Sequence, residues 1–497
     1  MTIRPFVVAT AAFALSCTFP AFPQGRGGGD WATAGADAQR SGSVRTDAKI
    51  STASLSKPGF QLLWNAKLRN DARQGAGLAE PTLIDRFIGH RGFRSYAFVA
   101  GSGDNVFAVD TDLSRIDWQK HFPLAPAAGT AACPGGMMTP LVRSVSSAIA
   151  APGDGRGGGG GGRGGPAKSG VGEPLQGAVT LQSALAPAAG RAAAGPGRGP
   201  GMPNANTRPR RLPNYVYAVS SDGAFHSMYL GSGEEPDLPV KFLPANARAT
   251  GLIIVDDAAY AVTTGNCGGA PNGIWALDIA AKSVASMKAD VVGAPAFGPD
   301  GTVYITTGAG DLVALEPKTL ARKASYAAGQ AFATPAVVFL AKEKPMVAAA
   351  TKDGSILVLD AALSSVTARA AGKVSGQIST WQDPAGNRWL FAPSGRAVAA
   401  FKLNGSSLEA AWTSREIANP AAAAVVNGVL FTAAQGSPAA HATLYALDAA
   451  TGKEYWSSGN AITSYLGDGS GLSIGGGAVY LGTRDGSLWA FGFPIEH

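Results

Sequence analysis

The sequence has 497 residues, of which 46% are hydrophobic and 15% charged, and this composition excludes a chain that is disordered throughout. Its formal charge of +7 equals that of one tract: residues 143–212 contain nine Arg or Lys and two acidic residues, and 9 − 2 = +7. The remaining residues are therefore close to neutral. The basic balance does not predict a nucleic-acid-binding surface.

The first segment, residues 1–24, has the pattern of an export signal. Arg4 is followed by a mostly apolar run over residues 6–15 and then by small and polar residues. That run is too short to span a bilayer, and no other stretch predicts a transmembrane helix. We therefore expect a periplasmic or secreted protein. The stretch Ala14-Leu-Ser-Cys17 resembles a bacterial lipoprotein box with Ala14 where Leu is usual, so lipid attachment at Cys17 stays open.

An apolar strand followed by a tight turn recurs about eight times along the rest of the chain. In the clearest copy, residues 443–456, the side chains alternate between two sides of a pleat, and Asp448 and the Thr451-Gly452 pair supply turn chemistry. The copies are centred on Ala108, Ser227, Ala276, Ala314, Val358, Ala400, Ala446 and Ala490.

The spacing of these centres predicts the architecture. Successive centres are 119, 49, 38, 44, 42, 46 and 44 residues apart, and removing the 70 residues of the tract 143–212 from the first gap leaves 119 − 70 = 49. A period of about 40–50 residues with four strands in each unit is typical of a β-propeller blade. We therefore predict one all-β domain over residues 25–497, an eight-bladed β-propeller.

The eighth unit ends after its third strand, so its outermost strand must come from elsewhere. Residues 60–64, Phe60-Gln-Leu-Leu-Trp64, precede the first complete blade and have the strand pattern. We expect them to pair with residues 487–491 and to close the ring, because closure removes the last exposed sheet edge.

The tract 143–212 is a low-complexity insertion within blade two. Its Gly, Ala and Arg residues cannot bury enough apolar surface to fold, so we expect it to be disordered and solvated. Arg-Gly runs can also bind RNA, but no aromatic residue lies in this tract to stack on bases. The insertion therefore does not predict a nucleic-acid partner.

Two features resemble the eight-bladed propellers of the pyrroloquinoline-quinone (PQQ) type. A Trp follows the central Ala by ten residues in Ala108 to Trp118 and in Ala446 to Trp456, which is similar to the tryptophan-docking repeat of that family. The opening Trp31-x-x-x-Gly35-x-Asp37-x-x-Arg40 is also similar to the opening of quinoprotein sequences. The resemblance implies structural docking positions, in which an indole staples neighbouring blades; they are Ala108, Trp118, Ala446, Trp456, Ala490 and Trp64. Most blades lack the docking Trp.

The same resemblance implies two kinds of activity. Dehydrogenases of this family hold PQQ and calcium at the axis, beside a disulfide of adjacent cysteines, whereas an envelope lipoprotein of the family assists outer-membrane protein assembly and binds partners through its loops. This chain has only Cys17, Cys133 and Cys267, so it has no adjacent pair, and it has no Cys-x-x-Cys-His haem motif. PQQ and calcium stay open as cofactors.

Six residues are candidates for the face at which a ligand would bind: Arg73, Gln74, Gln330, Gln377, Trp381 and Asp468. They fall in loops that join blades or that join second to third strands, except Trp381, which falls on an inner strand. Trp381 is a candidate aromatic floor for a flat ligand, with ordinary packing between blades as the alternative. Asp468 is a candidate calcium ligand, with a plain Asp-Gly turn as the alternative.

Cys133 and Cys267 are a candidate disulfide pair. In the repeat pattern both fall in loops of that same face, and such pairs form disulfides in the oxidising compartments that exported proteins enter. Two free buried thiols are the alternative, because the sequence does not reveal whether their Cα atoms approach within about 7 Å.

The sequence is best interpreted as an exported propeller that acts as a binding or scaffolding module. Its expected partner is an envelope protein or a small-molecule ligand, bound at the face formed by the loops named above, and not a nucleic acid. We expect no transmembrane segment and a monomer. The competing hypothesis is a PQQ- and calcium-dependent alcohol or sugar dehydrogenase.

Overall fold

The computed structural model describes residues 30–70, 77–89, 92–125, 130, 132–137, 139–149, 215–467 and 469–494. These residues form eight β-sheets, in which strands that follow one another along the chain lie side by side. The predicted eight-bladed propeller is confirmed. The predicted export signal and residues 150–212 of the predicted insertion lie outside the described residues.

Most blades have four strands, named here first to fourth from the axis outwards. Blade one comprises Thr82–Gly89, Gly92–Gly101, Asn105–Asp110 and Arg115–His121; blade three Arg248–Val255, Ala258–Thr264, Gly273–Asp278 and Ser283–Lys288; blade four Ala296–Phe297, Val303–Thr306, Asp311–Leu315 and Arg322–Ala327. Blade five comprises Val337–Ala341, Lys344–Ala350, Ile356–Asp360 and Val366–Ala370; blade six Ser379–Gln382, Arg388–Ser394, Ala397–Asn404 and Ser407–Thr413; blade seven Ala424–Val426, Val429–Ala434, Thr443–Asp448 and Glu454–Ser457.

Blades two and eight depart from this pattern. Blade two has Tyr215–Val219, Ala224–Tyr229 and Val240–Lys241, and a single bridge from Val142 to Tyr217 replaces its first strand. The chain order of blade eight is Leu472–Gly475, Ala478–Gly482 and Ser487–Gly492, with Gln61–Lys67 outermost. Two short strands, Ser43–Val44 and Ser144–Val145, lie parallel to the first strands of blades seven and three.

Helices contribute little to the part of the chain that the structure describes. They are the α-helix Thr52–Leu55 and the 3-10 helix Cys267–Gly269. Neither of these described helices has the length and apolar character to cross a membrane.

An N-terminal strand closes the ring. Gln61–Lys67 pairs antiparallel with Ser487–Gly492, so that Leu62 lies opposite Phe491 and Trp64 opposite Ala490. The predicted closure is therefore confirmed. Phe60, next to this strand, packs edge-on against Trp456 of blade seven with ring centroids 4.9 Å apart, which continues the core from blade seven into blade eight.

The antiparallel strand order gives the ring two different faces. Turns between second and third strands, together with the segments that join blades, lie on one face, here called the loop face. Turns between first and second and between third and fourth strands lie on the opposite face, here called the hairpin face. A residue's place in its blade therefore determines which face it reaches.

Residues 31–44 run around the central axis and pair with the inner edges of the blades. Six inner-strand N–H groups donate to six carbonyls of this segment at 2.8–3.0 Å: Leu83 to Trp31, Arg143 to Ala32, Phe297 to Ala38, Val338 to Gln39, Thr380 to Ser41 and Val425 to Gly42. Inner strands would otherwise leave these donors unpaired near the axis. The segment is therefore part of the core of the ring.

Arg40 connects this axial segment to blades three and four. Its side chain is 1% exposed; Nε donates to the Pro295 carbonyl at 3.1 Å, and Nη2 donates to the Gly251 carbonyl at 3.0 Å. Nη1 donates to the Ala34 carbonyl within the segment itself. Burial lowers the pKa of Arg40 to about 10, so the group is still a cation at neutral pH.

Three indoles dock on the blade that follows their own. Trp64, Trp118 and Trp412 donate from Nε1 to the carbonyls of Thr111, Leu230 and Ala449 at 3.1, 2.8 and 3.2 Å. Each acceptor is the residue directly after the third strand of the next blade. These bonds fix the angle between neighbouring blades, because an indole N–H needs a partner when its ring is packed away from water.

The small residues that two of these indoles meet in the next blade are glycines. A Cβ at Gly233 would lie 2.5 Å from the Trp118 ring, and one at Gly452 would lie 2.5 Å from the Trp412 ring. Ala108 is instead the cross-strand neighbour of Trp118 within blade one, as Ala446 is of Trp456 within blade seven. The sequence interpretation missed Gly233, Gly452 and Trp412 as docking residues.

Gly233→Ala is expected to lower the free energy of unfolding by about 2–3 kcal/mol, because the new methyl group would overlap Trp118 and the backbone has φ +70°. Gly405 has φ +60° and open space around it, so Gly405→Ala should cost only about 1 kcal/mol. In a Trp118→Ala background the cost of Gly233→Ala should fall to that of the control. Urea titrations of the four variants measure this coupling, and an unchanged cost in that background would contradict the docking contact.

Candidate functional site at the axial mouth

Glu80 lies at the axial end of blade one on the loop face, two residues before the first strand. Its Oε1 accepts hydrogen bonds from Trp31 Nε1 at 2.7 Å and from the Gly35 backbone N at 3.0 Å. Its own backbone N donates to the Gly469 carbonyl beside blade eight. Burial raises the pKa of Glu80 to about 7, although the two hydrogen bonds and the Arg40 cation oppose the rise. Glu80 therefore titrates near neutral pH.

The second carboxyl oxygen of Glu80 is the one that a bound group could reach. Among the described residues Oε2 accepts no hydrogen bond, and the residue is partly exposed. If Gly471 had a side chain, its Cβ would lie only 2.0 Å from Glu80 Oε2. The glycine therefore makes room for the carboxyl group. This arrangement presents one acceptor oxygen at the mouth of the axis.

Gln377 lies beside the same part of the axial segment. Its Nε2 is 3.0 Å from the position that a Cβ on Gly35 would take, and Gly35 N is bonded to Glu80. The side chain is partly exposed. The structure thus brings Gln377, one of the sequence-predicted loop-face residues, close to Glu80. The sequence interpretation did not include Glu80 among the candidate site residues.

The other predicted loop-face residues are more scattered. Gln330 lies exposed in the segment that joins blades four and five, where its carbonyl packs against Gly310. Arg73, Gln74 and Asp468 lie outside the described residues.

Trp381 lies away from the axial mouth. It pairs with Trp389 near the hairpin-face end of the first strand of blade six. Its ring lies 3.6 Å from the position of a Cβ on Gly428, in the first turn of blade seven. The packing alternative describes this environment: the indole fills space between two blades and does not form a floor at the loop face.

Cys133 and Cys267 form a disulfide on the loop face. Their Cα atoms are 5.5 Å apart and they are 134 residues apart in sequence. The bond joins the segment that follows blade one to the turn between second and third strands of blade three. It therefore fixes the two loops on either side of blade two relative to each other.

A Ser-His-Glu arrangement in blade two resembles a hydrolase triad. His226 has Nε2 at 2.8 Å from Ser220 Oγ and Nδ1 at 3.1 Å from Glu235 Oε2. However, Ser220 and His226 are 4% and 6% exposed, and the Ser220 hydroxyl donates to Asp222. A nucleophile needs a free, accessible oxygen.

Equivalent contacts in two other blades explain this arrangement. The third residue of the third strand is Trp275 in blade three and Trp489 in blade eight. Each indole donates to a Thr hydroxyl at the end of the second strand or directly after it, at 2.8 and 3.0 Å. His226 occupies the same position in blade two. We therefore interpret the Ser220–His226 contact as part of the propeller scaffold.

The described residues at the axis do not supply a calcium and PQQ site. Calcium takes six to eight oxygen ligands, whereas no cluster of three His, Cys, Asp or Glu suited to a metal occurs among the residues described. Two cavities in the described part, one between blades one and eight and one beside blade two, each hold about 10 Å³, room for one water molecule.

Glu80 should make stability depend on pH. Glutamate titrates near pH 4.3 in an unfolded chain and near pH 7 here, so the folded state holds an extra proton in between. The stabilisation is complete below the unfolded pKa and is lost as pH rises to about 7. In Glu80→Gln this loss, which we expect to be about 2–3 kcal/mol between pH 4 and 8, should be absent. Urea titrations across that range measure it, with the exposed Glu343→Gln as the control for the substitution. Parallel curves for wild type and Glu80→Gln would contradict the burial of Glu80.

Known proteins resemble this chain in fold. No protein-family model matches the sequence, and no curated protein matches it. The quinohemoprotein alcohol dehydrogenase from Comamonas testosteroni is 14% identical with a TM-score of 0.57, and the match covers 94% of this chain and 82% of that chain. The quinohemoprotein alcohol dehydrogenase ADHIIG from Pseudomonas putida HK5 is 13% identical with a TM-score of 0.58, covering 95% and 82%. A europium-containing methanol dehydrogenase is 11% identical with a TM-score of 0.58, covering 94% and 99%.

At these identities the likeness concerns the arrangement of the blades. It agrees with the eight sheets of this chain. The chain is therefore an eight-bladed β-propeller, and it shares this fold with those dehydrogenases.

Proposed function

We propose that this protein is an exported binding module of the cell envelope, periplasmic or secreted, and that it holds an envelope protein at the loop face around Glu80 and Gln377. The proposal assigns it no catalysis. A donor group of the partner, an amine or a hydroxyl, would bind Glu80 Oε2, with Gln377 beside it.

The observation that carries this proposal is the filled axis beneath the mouth. The axial segment bonds to the inner edges of six blades, and all three groups of the Arg40 guanidinium donate to backbone carbonyls. Six carbonyls of the segment and the Arg40 guanidinium are therefore engaged in holding the ring together. Glu80 Oε2 and the loop-face side chains around it are left to face a partner.

Cross-linking in intact cells tests this assignment. Gln330→p-benzoylphenylalanine places a photoreactive group on the loop face. The same replacement at Val284, 41% exposed beside the hairpin-face turn between third and fourth strands of blade three, is the matched control. We expect a discrete adduct from position 330, no such adduct from position 284, and loss of the first adduct in a Glu80→Lys background. The same adduct from both positions, or none from position 330, would contradict loop-face binding.

The competing dehydrogenase hypothesis has a direct test. Purified protein is mixed with PQQ and Ca²⁺, passed through gel filtration, and assayed for dye reduction with a panel of alcohols. We expect the quinone absorbance to separate from the protein and no dye to be reduced. A quinone that stays bound and turns over would overturn the non-catalytic proposal.

A further inference from the structure

The outermost strand of blade three lacks an irregularity that the other four-stranded blades have. In blades one, four, five, six, seven and eight, the pairing of the outermost strand with its neighbour contains a register shift, as a β-bulge produces. Ser283–Lys288 instead pairs with Gly273–Asp278 over six residues without interruption. A bulge bends and twists an edge strand and so hinders its pairing with another chain. Blade three therefore has a regular edge without this protection.

The length of one turn explains the difference. In blades one, four, five and seven, the residue opposite the centre of the repeat lies ten positions further along the chain, as Trp118 does after Ala108. In blade three Ala285 lies opposite Ala276, which is only nine positions earlier. The shorter turn leaves no extra residue that could form a bulge.

The free side of this edge presents a row of backbone groups. In the described part of the chain the strand is the last of its sheet. Ala289 N donates to the Asn272 carbonyl at 3.2 Å, and this bond fixes the alternation of the ladder. Val284, Ser286 and Lys288 therefore turn their N–H and C=O groups away from the blade. The strand has no charged residue before Lys288, so its side chains do not repel an incoming strand.

The charges around the strand suit a second copy of the same edge. Two such strands could pair antiparallel about a two-fold axis at Ser286 or at Ala285. In the first register Val284 of each copy lies opposite Lys288 of the other, and about six backbone hydrogen bonds form. In the second register Lys282 lies opposite Lys288, and like charges directly opposite each other are destabilising. The sequence of the edge therefore favours the register centred on Ser286.

We infer that the outer edge of blade three is a dimer interface, in which Ser283–Lys288 pairs antiparallel with the same strand of a second copy about a two-fold axis at Ser286. This register also brings Lys282 of each copy in line with Asp290 of the other; both residues are exposed, so opposite charges meet at each end. The contact is limited to one strand and its surroundings, which is less than the roughly 800 Å² per partner of a stable interface. The dimer should therefore be weak and reversible.

Antiparallel pairing of the edges directs the two loop faces in opposite directions and covers neither of them. The inference therefore does not depend on any partner at Glu80. It departs from the monomer that the sequence interpretation expects.

Sedimentation velocity of the full chain tests this inference, and wild-type protein should shift from monomer to dimer as its concentration rises. Ser286→Pro removes an outward N–H and leaves the bonds within the blade in place, because an edge strand tolerates proline where its N–H faces solvent. It should raise the dimer dissociation constant at least about tenfold. Ser325→Pro is the matched control and should leave association unchanged. Ser325 is exposed and directly follows the residue opposite Ala314, the same place in blade four that Ser286 has in blade three.

Cysteine cross-linking gives a second readout that does not need proline. In a hydrogen-bonded antiparallel pair the two Cα atoms are about 5.5 Å apart, a distance that a disulfide spans. Ser286→Cys in a Cys17→Ser background should therefore oxidise to a covalent dimer, and Ser325→Cys in that background should not. In intact cells, the Val284→p-benzoylphenylalanine variant should capture a second copy of this chain, and its mass separates that adduct from the one expected at position 330.

Three results would overturn the inference: a monomer at all concentrations, an unchanged dissociation constant in Ser286→Pro, or equal disulfide yields at positions 286 and 325. Capture of a different protein at position 284 would also overturn it, and would identify a foreign strand as the occupant of this edge.

Discussion

Arg40→Ala should lower the free energy of unfolding by about 3–5 kcal/mol, because it leaves buried carbonyl groups without a donor. Pro295 and Gly251 belong to different blades, and each loses a bond to the guanidinium. Glu80 also loses its nearest stabilising cation, so its pKa should rise further in the variant. Urea titration followed by tryptophan fluorescence measures the change.

Arg396→Ala is the matched control for that measurement. Arg396 pairs with Glu416 on the surface, with 70% and 68% of the two side chains exposed, so its loss should change stability by less than about 1 kcal/mol. If Arg40→Ala is no more destabilising than Arg396→Ala, the axial segment does not hold the inner strands together as described.

Removing the disulfide should have an effect of similar size. In the chain-entropy account, a bond that closes a loop of 134 residues restricts the unfolded chain and is worth about 3–5 kcal/mol. The double variant Cys133→Ser and Cys267→Ser should therefore unfold at lower urea concentration, and reduction of the wild-type protein should produce the same shift. Unfolding midpoints with and without dithiothreitol measure both.

The double variant supplies its own control, because dithiothreitol should no longer move its unfolding midpoint. Cys267 is 2% exposed, so reduction of the folded wild type should be slow and should need partial opening of the loop. A wild-type midpoint that is insensitive to complete reduction would show that these two loops stay together without the bond.

The ring could be predicted because its signals are local and repeated. Asp448 and Gly452 indicate one turn by their own chemistry. Seven further copies with similar spacing then predict the architecture of the whole domain. Trp412 shows where this reasoning ends. It docks as Trp118 does, but 12 rather than 10 residues separate it from Ala400, because the third and fourth strands of blade six extend further, to Asn404 and from Ser407.

The site could be predicted only in part, because its character comes from distant residues. In the sequence Glu80 is merely the residue before Pro81, and its raised pKa depends on burial beneath residues that are remote in the chain. The sequence predicts that Trp381 lies on an inner strand, and it does. The sequence does not reveal which end of that four-residue strand lies at the loop face. The opening pattern from Trp31 to Arg40 was the available signal for the axis, since those residues form the axial segment.

The closure of blade eight by Gln61–Lys67 has a consequence for synthesis on the ribosome. This strand and the axial segment emerge early, whereas their last partner, Ser487–Gly492, emerges more than 400 residues later. During that interval the nascent chain carries an unpaired apolar strand edge, which makes it prone to aggregation. Closure of the ring is therefore a late step, because it has to wait for the synthesis of Ser487–Gly492.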